Sequence, residues 1–340
     1  MRATLAYLKL PFAATLVGLV ALIGFGLGSA GSLGEALHLV AIGSVLVLLE
    51  IALSFDNAVV NANRLHRMSP LWQRRFLTWG ILIAVFGMRI VFPLAIVCVA
   101  AGMSPVRALA LALTEPQTYG EILNGAQLSI SAFGGTYLMM VALRFFIDSG
   151  KDLDWIKSIE ARLRAAAQLR AVEVLLVLGV LVVITASQPE GREMTFLFAA
   201  ILGLLAFLAT DALGQLLDSP RADAVVASGG LGAFLYLEVL DASFSFDGVI
   251  GAFALTNNMV LMAIGLGVGA CYVRAMTLML VERKTLAQLR FLEHGAFYSV
   301  FALATIMLMQ SLVHVPEYVT GALSLGVLGL AVVSSLRTSG

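Results

Sequence analysis

The hydrophobic residues of this chain fall in ten long runs that are separated by short polar segments. A helix rises about 1.5 Å per residue, so each run is long enough to cross about 30 Å of hydrocarbon. The runs cover residues 11–30, 36–63, 76–102, 127–147, 170–187, 194–213, 228–256, 258–281, 294–313 and 317–336. This pattern predicts an all-α fold, a polytopic transmembrane bundle of about ten helices.

The first run begins close to the N-terminus and has two possible roles. It follows Arg2 and Lys9, and it ends at Gly28-Ser29-Ala30, a small-residue sequence typical of a signal-peptide cleavage site. A signal peptide has a hydrophobic region of about 7–15 residues, and this run is longer. The sequence therefore favours a first helix that is retained.

Lysine and arginine are unevenly distributed among the polar segments. If the N-terminus is cytoplasmic, the outer segments hold only Arg107 and Arg192. The cytoplasmic segments and the C-terminus then hold fourteen basic residues, namely Arg64, Arg67, Arg74, Arg75, Lys151, Lys157, Arg162, Arg164, Arg170, Arg221, Arg283, Lys284, Arg290 and Arg337. Cytoplasmic segments of membrane proteins carry such an excess. We therefore expect a multi-pass protein of the cell membrane, a bacterial inner membrane, with both termini cytoplasmic. The charged segment 151–170 is expected to form a solvated or interfacial helix on that side.

Composition agrees with a membrane protein and excludes several other classes. Hydrophobic residues make up 60% of the chain and charged residues 12%, and the net charge is zero. Soluble domains carry about 25% charged residues. The lipid bilayer is thus the expected partner, and nothing favours nucleic acid. We find no Walker loop, Gly-x-Ser-x-Gly or His-Glu-x-x-His sequence, so we expect neither an enzyme nor a prosthetic group.

Two of the runs contain the same pattern of acidic residues. Residues 50–57 have the sequence EIALSFDN, and residues 241–248 have DASFSFDG. The two segments align without a gap, pairing Glu50 with Asp241, Ser54 with Ser245 and Asp56 with Asp247. The second copy has one more acid, Glu238, one turn earlier.

The surroundings of the two motifs repeat as well. The run after each motif contains an arginine, Arg89 or Arg274. The motifs lie on the second and seventh runs, and this odd separation makes their helices antiparallel. The sequence therefore predicts two inverted repeats, residues 1–190 and 191–340. Inverted repeats are a common plan of secondary transporters, whose substrate sites lie near the membrane midplane.

The energetic cost of the acids indicates that they are compensated. One charge near the centre of a transmembrane helix costs roughly 2.5–3.5 kcal/mol, so five would cost about 12–17 kcal/mol. That rivals the net stability of a whole domain, about 5–15 kcal/mol. The acids must be protonated, paired or bound to a cation. Two arginines can neutralise two of them, and a divalent cation with a proton would balance the rest, unless Arg274 snorkels to the interface.

Almost all the polar side chains of the two motifs would bind a metal through oxygen, and neither motif contains cysteine or histidine. Such sites suit Mg²⁺, Ca²⁺ or Mn²⁺. The predicted ligands are Glu50, Asp56, Asn57, Glu238, Asp241 and Asp247, with Ser54, Ser245, Arg89 and Arg274 in supporting roles. Glu50, Ser54 and Asn57 share one helix face, but Asp56 lies about 120° from Glu50. Either Asp56 meets a different neighbour, or the helix unwinds near Ser54-Phe55.

The two motifs resemble those of the TerC family, the tellurite-resistance protein C-like membrane proteins. Segments 134–152 and 292–296 are also similar to one branch, catalogued as a domain of unknown function, and the resemblance covers about residues 34–310. It implies an exporter superfamily that includes lysine exporters, an association with manganese efflux and tellurite resistance, and motif positions at Glu50, Asp56, Asn57, Asp241 and Asp247. Gly248 departs from the pattern, because the first copy has Asn57 there. Glu238 is the candidate replacement.

Together these features predict a membrane transporter that exports a divalent cation, foremost Mn²⁺ and otherwise Mg²⁺ or Ca²⁺, with proton coupling as an option. Two other classes stay open. Repeated acids also suit an exporter of amino acids or other small organic solutes with a cationic amine. A non-transporting membrane scaffold linked to tellurite or metal stress would instead use segment 151–170 to capture partners.

Overall fold

The structure is a computed structural model that describes residues 7–30, 33–66, 68–83, 87, 90–148, 153–166, 171–217, 231–256, 258–282, 289–313 and 315–338. These residues form fifteen α-helices and no β-strand, which confirms the predicted all-α fold. The helices are α1 (Lys9–Ala30), α2 (Leu33–Leu53), α3 (Phe55–His66), α4 (Pro70–Leu82), α5 (Phe92–Ala101), α6 (Pro105–Thr114), α7 (Pro116–Gly125), α8 (Gln127–Ile147), α9 (Lys157–Ala166), α10 (Val172–Ala186), α11 (Glu193–Leu217), α12 (Leu231–Leu255), α13 (Met259–Glu282), α14 (Leu292–Met309) and α15 (Glu317–Thr338).

Many of these helices are suited to a lipid environment. Among the described residues, seven helices are long and apolar enough to span a membrane, namely α1, α2, α8, α11, α13, α14 and α15. Helices α5 and α6 pass the same test as a pair, but they meet at a bend of 108°. On α1, Leu16, Val17 and Val20 are each at least 65% exposed, which water would penalise and lipid would not. The chain is a multi-pass membrane protein.

Each of the ten predicted runs contains at least one helix, and two runs are divided. The second run is interrupted at Ser54, between α2 and α3. The third run is split into α4 and α5, and the described residues between them, 83, 87, 90 and 91, are π-helical. π-helical turns inside a helix often occur at functional sites.

Helices α6 and α7 lie where the sequence predicted an outer polar segment. Gly102 ends α5 with a left-handed φ of 60°, and its N–H donates to Cys98 O. Ser104 then caps α6 by accepting from Arg107 N at 3.4 Å, and α6 and α7 both begin at a proline. Proline is favoured in a first helical turn because its missing N–H would have no helical partner there. These Ser-Pro and Glu-Pro steps were the missed helix-start signals.

The chain divides into two compact units that interleave along the sequence. Unit 1 contains residues 1–66, 70–127 and 244–283, and unit 2 contains residues 67–69, 128–243 and 284–340. The division falls inside α12, so Leu231–Ser243 belongs to unit 2 and Phe244–Leu255 to unit 1. The repeat boundary between residues 190 and 191 is a separate matter of sequence symmetry and stays a prediction.

Unit 1 is organised around α13, which packs against α1, α2, α3 and α4. The crossing with α2 is close because a Cβ atom on Gly265 would lie 2.6 Å from Leu46 Cβ. The contact with α1 includes hydroxyl groups of Thr15 and Tyr272 that are 3.0 Å apart. Small residues allow this approach, which drives helix association in membranes through packing.

In unit 2, α8 is the most deeply buried span. A Cβ atom on Gly135 would lie 3.0 Å from Leu308 Cγ on α14, and one on Gly203 of α11 would lie 2.2 Å from Phe133 O on α8. Arg144, near the end of α8, makes an ion pair at 2.8 Å with Glu173 on α10. Helix α8 thus contacts three neighbours through its backbone and its terminal charge.

Gly203 provides a test of this packing. We expect Gly203→Ala to destabilise the protein by about 1–3 kcal/mol or more, because the added methyl group meets backbone atoms that cannot rotate away. Gly179→Ala on α10 is the matched control, since no heavy atom lies within 4 Å of its added Cβ. That variant should be neutral, or more stable by up to about 1 kcal/mol, because alanine favours helix. Thermal unfolding in detergent compares them, and equal midpoints would contradict the described crossing.

Candidate functional site

The first motif lies at a one-residue interruption between two helices. Helix α2 ends at Leu53 and α3 begins at Phe55. Ser54 N donates to Glu50 O at 3.0 Å, and Ala58 N donates to Ser54 O at 3.1 Å. These bonds keep the helical spacing across the interruption. The interruption lies where one of the two predicted options placed an unwound turn, but the backbone keeps its helical spacing there.

Glu50 lies where α2 meets two other helices of unit 1. The residue is 1% exposed, although it lies within the candidate span Ala36–Leu53. Its Oε1 atom accepts a hydrogen bond from Ser54 Oγ at 2.8 Å. Its Oε2 atom lies 3.0 Å from the position of a Cβ on Gly248 of α12, and its Cβ atom lies 2.5 Å from that of Gly269 on α13. Two glycines therefore make room for the Glu50 side chain.

This geometry explains the departure at Gly248. The first motif has Asn57 at the equivalent position, so by sequence alone Gly248 leaves the second motif one oxygen ligand short. A side chain at residue 248 would crowd the Glu50 carboxylate, because its Cβ would lie 3.0 Å from Oε2. Glycine at this position leaves the carboxylate room at the junction.

Ser245 adds a second oxygen on the same side of α12. It precedes Gly248 by three residues, so the two lie on one helix face. The side chain is 4% exposed, and among the described residues its Oγ atom has no hydrogen-bond partner. Serine hydroxyls buried in a membrane helix usually bond to a neighbouring backbone carbonyl or a ligand. An unsatisfied hydroxyl therefore lies one turn from the position that faces Glu50.

Asp56 is buried in the first turn of α3. It is 0% exposed, and its Oδ1 atom accepts from Asn57 N at 2.8 Å. The interruption at Ser54 gives α3 its own N-terminus, where the helix dipole favours a negative charge. The break thus stabilises a second carboxylate close in sequence to Glu50. Asn57 is itself buried, at 7% exposure.

Arg274 of α13 is buried against α4. The residue is 6% exposed, and its guanidinium carbon lies 3.8 Å from the ring centroid of Phe76 on α4. This is cation–π geometry, which stabilises a guanidinium away from water. The guanidinium thus packs between α13 and α4, and its depth relative to the membrane surface stays a prediction. Its charge stays inside unit 1 with the first motif.

The first part of the second motif belongs to unit 2. Asp241 is 6% exposed and Glu238 is half-buried. Ser243 Oγ donates to Val239 O at 3.0 Å, and α12 continues through the whole motif without a break. The two copies thus share their sequence but not their backbone, because only the first copy is interrupted.

The described structure brings some predicted residues together and leaves others apart. Unit 1 gathers Glu50, Ser54, Asp56, Asn57, Ser245 and Arg274, and unit 2 holds Glu238 and Asp241. Arg89 lies outside the described residues, and so does the side chain of Asp247, whose backbone is in α12. Within the described part of the chain, no three His, Cys, Asp or Glu side chains form a metal-binding group.

Two buried polar features were not identified from the sequence. Asn61 of α3 is 2% exposed, and its spacing of eleven residues from Glu50 places both on one face. In unit 2, Glu160 was assigned to a solvated or interfacial helix. That helix exists as α9, but Glu160 is 0% exposed.

Glu160 ties the charged segment to α14. Its Oε1 atom accepts hydrogen bonds from Ile156 N at 3.0 Å and Tyr298 OH at 3.2 Å. His294 Nε2 lies 2.8 Å from Leu153 O and 3.4 Å from Glu160 Oε2. Because the carboxylate also accepts from backbone N–H groups at the start of α9, it acts as a structural anchor and helix cap.

Comparison with known proteins identifies a family without indicating an activity. A family model described as "Protein of unknown function (DUF475)" matches residues 55–339. No curated protein and no solved structure matches the chain. The match covers α3 to α15, and thus Asp56, Asn57, Asn61 and the second motif, but begins after Glu50 and Ser54.

Proposed function

We propose that this chain, which belongs to the DUF475 family of proteins of unknown function, transports a divalent metal cation. The proposed site is centred on Glu50. Asp56, Asn57, Ser54 and Ser245 supply further oxygens from unit 1. Asp247 is proposed as the third carboxylate ligand, after Glu50 and Asp56. Glu238 and Asp241 stay ligands predicted from the repeat.

The observation that carries this proposal is the burial of Glu50 at a glycine-lined junction. A carboxylate that is 1% exposed within an apolar span is costly unless it is paired, protonated or bound to a cation. Gly248 and Gly269 surround the side chain with backbone rather than bulky apolar groups. The unsatisfied Ser245 hydroxyl lies on the helix face that meets it. Carboxylate and hydroxyl oxygens that converge in a small space suit a hard cation.

Manganese is the leading ion, and export is the proposed direction. The oxygen-only ligand set favours Mg²⁺, Ca²⁺ or Mn²⁺ over copper or zinc. The choice among these three rests on the resemblance of both motifs to the TerC family, which implies manganese efflux. A proton is proposed to bind together with the cation, because the five acids of the two motifs carry more negative charge than two arginines and one divalent ion can balance. The orientation with both termini in the cytoplasm is part of this proposal.

The proposal is tested by metal flux into proteoliposomes. We expect wild-type protein to carry Mn²⁺ and expect Asp56→Asn and Asp247→Asn each to lower the rate at least about tenfold, as loss of a metal-site group does. Lysine in excess should leave the Mn²⁺ rate unchanged. Unaltered Mn²⁺ flux in both variants would contradict the metal site. If no Mn²⁺ flux is found, and lysine but no metal ion competes for transport, the substrate is instead an organic amine.

A further inference from the structure

The polar face that contains Glu50 continues beyond the predicted motif. At about 100° per residue, Ser54, Asn57 and Asn61 all lie within about 40° of Glu50 around the helix axis. The hydrogen bonds that cross the interruption at Ser54 preserve this alignment. All four side chains are buried, with exposures of 1%, 5%, 7% and 2% in chain order from Glu50. We call these four residues the polar stripe.

The polar stripe extends from Glu50 in one direction only. One turn before Glu50, the same face carries Leu46, which is 0% exposed and packs against Gly265. In the second motif, the residue that aligns with Asn61 is Ala252, which is also buried. The stripe is therefore closed by apolar packing on one side, and the second repeat does not reproduce it.

The length of the polar stripe is that of half a membrane. From Glu50 to Asn61 is eleven residues, which is about 16 Å along a helix, against about 30 Å for the hydrocarbon core. Asn57 and Asn61 are one turn apart, a step of about 6 Å. Amide side chains that are buried in a membrane protein are costly unless they are hydrogen-bonded, and polar residues in this setting often line ion or substrate pathways.

We propose that the Asn57–Asn61 face of α3 is the route by which the divalent cation moves between Glu50 and the membrane surface at the C-terminal end of α3. This inference rests on the proposed function and adds its path and side. Arg64, Arg74 and Arg75 lie at that end, so the predicted orientation makes it the cytoplasmic side. Asn61 would act as a positioning residue whose carbonyl oxygen replaces water ligands along the way.

Cysteine accessibility tests this route in the full chain. The background carries Cys98→Ser and Cys271→Ala, which removes both native thiols. Asn61→Cys is compared with Val59→Cys, a control that is also buried, at 0% exposure, and lies on the opposite face of α3. The reagent is a small, uncharged, hydrophilic maleimide applied to sealed inside-out vesicles, since Arg64 at the end of the stripe would repel a cationic one.

We expect the Asn61→Cys thiol to react at least about tenfold faster than the Val59→Cys thiol, because thiolate is the reactive form and an apolar environment suppresses it. Saturating Mn²⁺ should slow the reaction of Asn61→Cys and leave Val59→Cys unchanged. Equal rates in a background that still transports Mn²⁺ would overturn the route and leave the proposed function intact. If neither the cysteine-free chain nor the wild-type chain transports Mn²⁺, both the route and the proposed function are overturned.

Discussion

Glu50→Gln is expected to reduce Mn²⁺ flux at least about a hundredfold, which is more than the loss of a supporting group costs a metal site. Glutamine keeps the shape of the side chain and can still accept the hydrogen bond from Ser54 Oγ, which is 2.8 Å from Glu50 Oε1. The substitution therefore removes the negative charge with little change in packing.

Glu282→Gln is the matched control for this experiment. Glu282 is the last residue of α13, is exposed, and accepts a hydrogen bond from Tyr7 OH at 2.7 Å. Neutralising it changes the net charge of the protein by the same amount without touching the site. We expect its Mn²⁺ flux to match that of the wild type. If Glu50→Gln folds and carries Mn²⁺ as fast as Glu282→Gln, the carboxylate of Glu50 has no part in transport.

Gly269→Ala is expected to damage both the fold of unit 1 and the site. The added methyl carbon would lie 2.5 Å from Glu50 Cβ, 2.7 Å from Glu50 Cγ and 3.1 Å from Val47 O. Neither a Cβ atom nor a backbone carbonyl can rotate away, so α2 and α13 must separate. Overpacking of this kind costs about 1–3 kcal/mol or more. It also moves the Glu50 carboxylate, so we expect transport to be lost even where the variant is folded.

Gly24→Ala separates this clash from a general effect of adding a methyl group. Gly24 lies in α1 of the same unit, and no heavy atom lies within 4 Å of its added Cβ. Thermal unfolding in detergent and Mn²⁺ flux should both remain at wild-type values for Gly24→Ala and fall for Gly269→Ala. Wild-type stability and flux in Gly269→Ala would show that α2 and α13 do not approach as closely as described.

Helix positions were predictable because membrane helices are marked by continuous apolar runs. The run 127–147 coincides with α8, and the run 258–281 differs from α13 by one residue at each end. The divided runs were harder, because an interruption of one residue at Ser54 leaves average hydrophobicity unchanged. Helices α6 and α7 were missed for a related reason, since their start signals, Ser104-Pro105 and Glu115-Pro116, lie in a segment that was interpreted only as a polar connection between two apolar runs.

The site was predictable in its residue types and not in its geometry. Helical spacing was enough to place Glu50, Ser54 and Asn57 on one face, and Asn61 follows from the same spacing applied four residues further. The roles of Gly248 and Gly269 depend on which helices cross, which one sequence does not contain. For the same reason the sequence left open whether Arg274 reached an interface, whereas its contact with Phe76 joins α13 to α4.

Anomalous scattering from crystals of the wild-type protein grown with Mn²⁺ tests the proposed site most directly. We expect a metal peak about 2.0–2.6 Å from a Glu50 carboxylate oxygen, the range for hard cations with oxygen ligands. The peak should be lost in Glu50→Gln crystals grown in the same way. A Glu50 carboxylate that is bound by a fixed arginine, with no metal peak at the junction of α2, α12 and α13, would contradict the account.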